Sequence, residues 1–251
     1  MSRLTRGHAI CNRGVAILLE VIVQTVGDAR QAALGGADRL EIVRAIRVGG
    51  LTPSLALVRA VAAETRLPLR VMVRANAGFT TGARELRALC AAASAFEGAG
   101  VDGLVLGFAR DGRPALDDVA TVLAAAPSAR ATFHRAFDAL DDPLAAIDAI
   151  AALPQIDRIL TSGGEGPAAD RCRRLAEYAA RAAAAGRARA RPPIETIAGG
   201  GVDEDVLSAI ARTGCVREVH VGRAARDGVD REAPVSAAAV RRLRRLLEGR
   251  T

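Results

Sequence analysis

Short runs rich in β-branched residues alternate eight times with longer Ala- and Leu-rich stretches, and this alternation limits the fold more than any other feature. The runs are LLEVIV (18–23), DRLEIV (38–43), LRVMVR (69–74), DGLVLG (102–107), RATFHR (130–135), DRILTS (157–162), IETIAG (194–199) and REVHVG (217–222). Short, mostly apolar runs of this kind suit strands of a parallel sheet covered on both faces. Between them lie stretches such as SLALVRAVAAE and LAAIDAIAAL, built from strong helix formers. After the last run, VSAAAVRRLRRLLEG supplies an eighth helix. Helix starts are marked by Thr52-Pro53-Ser54 and Asp142-Pro143, and helix ends by the glycines of GGAD (35–38) and GAGVDG (98–103). Eight βα units in succession predict an α/β fold, a parallel eight-stranded (β/α)8 TIM barrel. An open doubly wound sheet would carry a Gly-rich phosphate turn after its first strand. Here that strand runs into Gln24, Thr25 and Val26.

The length of 251 residues suits a single barrel domain over 16–251, preceded by a loose extension over 1–15. Glu20 interrupts the early apolar run and no small-residue cleavage site follows it, which argues against a signal peptide. No uninterrupted apolar stretch reaches eighteen residues, so no membrane partner is expected. AAAAGRARARPP (182–193) reads as a helix end followed by an exposed loop.

All 35 basic residues are arginine, set against 28 acidic ones for a net charge of +7. The absence of lysine excludes Schiff-base and pyridoxal phosphate chemistry, both of which need an amine from the chain. Arg241, Arg242, Arg244 and Arg245 read as a solvated face of the last helix. Aromatic residues make up only 2% and tryptophan is absent, so no stacking platform for nucleic acid is expected. Cys11, Cys90, Cys172 and Cys215 form no CxxC pair, which fits a reducing cytoplasm rather than a disulfide framework or thiolate metal site.

Functional groups of such barrels gather at the C-terminal strand ends. Glu20 and Glu41 lie inside the first two strands, Arg74 ends the third, and His134 and Arg135 end the fifth with Asp138 beyond. Thr161 and Ser162 end the sixth, and His220 lies in the eighth. A carboxylate among apolar strand residues needs a partner; Arg74, Arg135 and the two histidines are available. Glu20, Glu41, His134 and Asp138 are therefore candidate catalytic groups, with Glu20 or Glu41 as base and His134 as acid or electrophile. Arg74, Arg135, Thr161, Ser162 and His220, with Gly200, Gly201 and Gly222 in the loops after strands seven and eight, are candidates for holding a small anion. Glu20, Glu41, His134 and His220 are also a possible mixed N/O set for Zn, Mn or Cu(II). The same side chains could equally form a buried ion-pair network that only closes the barrel.

GADRLEIVRAIRVGGLTPS (36–54), TFHRAFD (132–138), RILTSGG (158–164), AGGGV (198–202) and EVHVG (218–222) resemble the CutC-type copper homeostasis proteins, over nearly the whole chain from about residue 17. The resemblance implies a TIM barrel, a cytoplasmic location, a homodimer, and a role in copper homeostasis with copper binding. Copper-binding members often carry Cys just after the first- and second-strand Glu. Those places hold Ile22, Val23 and Val43, so the soft thiolates that select Cu(I) are missing. Three readings stay open: a metal-handling protein, an acid–base enzyme (isomerase, epimerase or lyase type) acting on a small anionic, sugar-like substrate, and a non-catalytic binder of a small anion.

Overall fold

The structure is a computed structural model and describes residues 16–228, 230 and 232–249. The stretch 1–15, read as an extension, lies outside the described residues. Eight strands form a closed parallel barrel in chain order: β1 (Leu18–Val23), β2 (Arg39–Ile42), β3 (Leu69–Met72), β4 (Gly103–Leu106), β5 (Arg130–Phe133), β6 (Ile156–Thr161), β7 (Glu195–Ala198) and β8 (Glu218–Val221). The ring closes where β8 pairs with β1, with Leu18 opposite Glu218 and Glu20 opposite His220. That pairing excludes the open doubly wound sheet. Each strand is followed by its helix: α1 (Val26–Gly35), α2 (Leu55–Glu64), α3 (Ala83–Glu97), α4 (Leu116–Ala124), α5 (Pro143–Ile150), α6 (Ala168–Arg187), α7 (Glu204–Thr213) and α8 (Ala237–Leu247). A short hairpin that the sequence pattern does not announce, Ala109–Arg110 with Arg113–Pro114, sits between β4 and α4.

Local chemistry explains the helix boundaries. Thr25 and Ser54 accept hydrogen bonds from Asp28 N and Leu57 N, and Asp142 caps α5 with Pro143 in the first turn. Gly36 ends α1 at φ 91°, a left-handed conformation that favours glycine.

Side chains alternate along each strand. Leu19, Val21 and Val23 point outward and are fully buried, packed into the main core with the helices. Glu20, between them, points into the barrel, where it meets Arg39 and His220. Arg241, Arg242 and Arg245 of α8 are exposed, as the sequence suggests, while Arg244 is half-buried. Arg242 pairs with Glu204 at 2.7 Å, Arg241 donates to the Leu34 carbonyl, and Arg244 holds Asp38 and the carbonyls of Gly36 and Ile17. They stitch α8 to its neighbours. Among the described residues, no helix is long and apolar enough to cross a membrane.

Candidate functional site

Two layers of polar side chains occupy the barrel interior. The lower one, toward the N-terminal strand ends, is a chain of alternating charge: Glu20, Arg39, Glu218, Arg158, Asp157, Arg70, Asp102. Arg39 donates to Glu20 and, at 2.6 Å, to Glu218. Arg158 joins Glu218 at 2.9 Å to Asp157 at 2.6 Å, and Arg70 joins Asp157 at 2.8 Å to Asp102 at 2.7 Å. Gly103 makes room for this layer, since a Cβ there would lie 2.6 Å from Arg70 Nη1. The sequence offered Arg74, Arg135 and the two histidines as partners; of these His220 meets Glu20, and Arg39 was missed. The signal was present: Arg39 is two residues before Glu41, so both face inward from β2.

Above this floor is a cavity of about 360 Å³. Its wall includes Glu41, Arg74, His134, Arg135, His220, Gly200, Gly201 and Gly222. Glu20 is set behind His220, accepting at 2.7 Å from its Nδ1. Burial opposes ionisation of Glu20, but Arg39 and His220 hold its carboxyl well below the usual carboxylate range. Burial likewise disfavours the charged form of His220, yet Glu41 and Glu20 outweigh it and raise its pKa.

Glu41 is the exception to this pairing. It is 1% exposed, its Oε2 lies 3.5 Å from His220 Nε2, and its Oε1 has no hydrogen-bond partner among the described residues. Burial pushes its carboxyl up to about 7; His220 pulls against the shift and the charge of Glu20 adds to it. His134 is similar. It caps the short 3-10 turn Arg135–Ala139, where its Nδ1 accepts from Ala136 N at 3.1 Å. That bond assigns the neutral ring's proton to Nε2, and Nε2 is buried with no partner among the described residues. Burial, followed by the charges of Arg74 and Arg135, pushes the imidazole down to about 3, so it is neutral at pH 7.

Arg74 stacks over Phe79 with 4.8 Å to the ring centroid and donates to the carbonyls of Ala77, Gly78 and Gly49. Burial and neighbouring Arg135 lower its pKa, and it forms no ion pair with a carboxylate among the described residues. Asp138 orients Arg135 at 2.9 Å rather than His134, and accepts from Thr161 Oγ1 and Ser162 N. Asp138, Thr161 and Ser162 are thus brought together outside the cavity wall and brace its rim. Arg171 of α6 takes the carbonyls of Gly200 and Gly201 at 2.9 and 3.0 Å, anchoring the glycine loop from outside. Phe79, Arg47, Arg223 and Met72 also line the cavity. Phe79, Arg47 and Met72 carried no signal in the sequence: Phe79 sits in a loop and Arg47 in a short 3-10 turn, both without periodicity, and Met72 reads as an ordinary strand residue.

The donor set can be tested against copper. None of the described cysteines, Cys90, Cys172 and Cys215, lines the cavity. The expected thiolate places are filled by Ile22 on the wall, Val23 in the main core, and Val43 in an apolar cluster with Ile46, Met72 and Val105. Among the described residues, no three His, Cys, Asp or Glu side chains converge in a way that could hold a metal ion. The residues do not fit a thiolate copper centre.

A family model described as the CutC family matches residues 17–225. A CutC family protein of Treponema denticola is 35% identical over 206 residues, covering 81% of this chain and 80% of the relative. A human copper homeostasis protein cutC homolog is 32% identical over 232 residues, covering 90% and 80%. Among solved structures, the putative copper homeostasis protein CutC of Streptococcus agalactiae superposes with a TM-score of 0.72 at 26% identity, over 81% of this chain and 97% of that one. A thiamine phosphate pyrophosphorylase of Pyrococcus furiosus, 17% identical with a TM-score of 0.56, shares the fold alone. Matched along most of its length by the family model and by relatives above 30% identity, the chain belongs to the CutC family.

Proposed function

We propose that this CutC-family barrel moves a proton on a small anionic carbonyl compound bound at its mouth. One observation carries the reading: Glu41 Oε1 and His134 Nε2 are both buried, both unpartnered among the described residues, and both belong to side chains on one cavity wall. Buried polar atoms are ordinarily paired, since leaving one unmade costs about 1–3 kcal/mol. Two such atoms on one wall are groups waiting for a ligand.

The roles follow from the protonation states. A carboxyl near 7 is matched to proton transfer at neutral pH, which suits Glu41 as the base. It takes the proton from the carbon next to the carbonyl, and the electron pair moves onto the carbonyl oxygen. His134, neutral with its proton on Nε2, donates to that oxygen without having to lose a charge first. Arg74 faces the anionic group. Glu20 holds His220 from behind, and His220 opposes the rise that burial gives Glu41. Thr161, Ser162 and Asp138 keep Arg135 in place.

The test is solvent deuterium exchange into a panel of small anionic ketones and aldehydes, followed by NMR. Glu41→Gln is expected to reduce exchange by about 10²–10⁴-fold while the fold survives. Exchange that persists in Glu41→Gln sinks the assignment.

Copper enters through the names of the relatives. The described residues bring no three donor side chains together that could hold it. Titration with Cu(I) and Cu(II) decides it: affinity that falls in His134→Ala and His220→Ala supports a mouth site, and affinity unchanged in both rejects it. A reducing cytoplasm, consistent with the three free cysteines described, and a homodimer complete the proposal by family resemblance.

A further inference from the structure

The cavity wall is unevenly built. Its polar side chains are Glu41, His134, His220 and arginines; among the described residues, no Ser, Thr, Asn, Gln, Asp or Tyr is part of it. Much of the remainder is hydrocarbon. Ile22, Ile46 and Met72 form one patch, backed by Val43 and Val105 in a cluster separate from the main core. Gly222 is what lets this patch close up, since a Cβ there would stand 3.0 Å from Ile22 Cδ1 and 3.4 Å from Ile46 Cδ1. The positive charge of the wall comes from Arg74, stacked on Phe79, and Arg135, with Arg47, paired with Glu232, and Arg223 also lining the cavity.

We infer that the ligand of the mouth is a short-chain oxo acid, a carboxylate with a hydrocarbon body, rather than a polyhydroxylated sugar phosphate. The inference rests on the acid–base reading above and narrows its substrate, replacing the sugar-like molecule that the sequence suggested. A sugar phosphate would bring several hydroxyls to a wall with few neutral hydrogen-bonding side chains. Each hydroxyl left unpaired costs the full loss of its hydration. An oxo acid needs little more than the wall supplies: an arginine for the carboxylate, an N–H for the carbonyl oxygen, a base for the adjacent carbon, and an apolar surface for the alkyl group. The charge of Arg135 disfavours that of Arg74, and a carboxylate near them offsets this. In the reaction, the C–H bond next to the carbonyl breaks, its proton passes to Glu41, and its electron pair becomes the enolate. The reverse step returns a solvent-derived proton to carbon.

Two probes test this on the full chain, 3-methyl-2-oxobutanoate and ribulose 5-phosphate, with binding measured by calorimetry and exchange by NMR in D₂O. The oxo acid is expected to bind at least about tenfold more tightly. Met72→Gln, close to isosteric, is expected to weaken the oxo acid by about tenfold or more through lost apolar contact. Ile22→Thr, checked for folding by circular dichroism, should act in the same direction. Tighter binding of ribulose 5-phosphate, no binding of the oxo acid, or oxo acid affinity untouched by both substitutions overturns the substrate class. If ribulose 5-phosphate exchanges deuterium in a Glu41-dependent way, the acid–base reading stands and the oxo acid falls. If the oxo acid binds with Met72 dependence but never exchanges, the ligand class stands and the acid–base reading falls.

Discussion

The floor and the mouth of this barrel hold the same kinds of side chain in opposite states. On the floor, three arginines and four carboxylates alternate, and every one has an opposite charge within hydrogen-bonding distance. At the mouth, a buried carboxylate oxygen and a buried imidazole nitrogen have no partner among the described residues, and Arg74 forms no ion pair with a carboxylate among them. Paired charge closes the barrel, whereas unpaired charge leaves it a place to bind. The structural network that the sequence left open is the floor, and the site we propose lies at a different depth of the same barrel.

Removing one buried charge should therefore have opposite effects in the two regions. Arg39→Met leaves Glu20 and Glu218 without their shared partner, and breaking such a buried pair destabilises by about 3–5 kcal/mol. Urea unfolding at neutral pH measures it; a loss below about 1 kcal/mol would show that the floor pairs contribute little.

Glu41→Gln is expected to stabilise the chain above neutral pH. The carboxyl titrates at about 7 in the folded chain, against an ordinary 4.5. Between those values the folded chain holds more protons than the unfolded one, so this group's contribution is fully present below the lower value and is lost as pH rises through the upper one. The Gln variant lacks that loss. Its stability relative to the parent should rise by up to about 3 kcal/mol from about pH 5 to about pH 8. A flat difference would mean that Glu41 titrates normally.

A smaller effect sharpens the contrast through packing. Gly103→Ala places a methyl group 2.6 Å from both the Arg130 carbonyl and Arg70 Nη1, so the floor must shift at a cost of about 1–3 kcal/mol. Thermal unfolding reads it, and an unchanged midpoint would show a floor loose enough to yield.

The eight strands and the helix caps were legible because they rest on local chemistry: β-branched runs, Ser54 and Asp142 as caps, Gly36 as a terminator. The observed strands fall short of the runs at residues such as His134 and Arg135, which turn out of the ladder to open a 3-10 turn. Glu41, His134 and His220 were legible as polar residues in strand runs, and each is on the cavity wall. Loop residues such as Phe79 gave no signal, because no periodicity governs where a loop side chain points.

From its residues alone, this chain had to be a βα-repeating fold without lysine for imine chemistry; the family resemblance added that cysteine is missing from the expected copper-binding places. Partner choice was a matter of register. Glu20 sits opposite Arg39 on one side and His220 on the other, while Ile22 sits opposite Glu41. The stagger between strands in a closed barrel sets which inward side chains share a level, and no local pattern encodes that stagger. It places Glu20 in the paired floor and leaves Glu41, two strand positions from Arg39 along β2, facing the cavity with one oxygen unpartnered among the described residues.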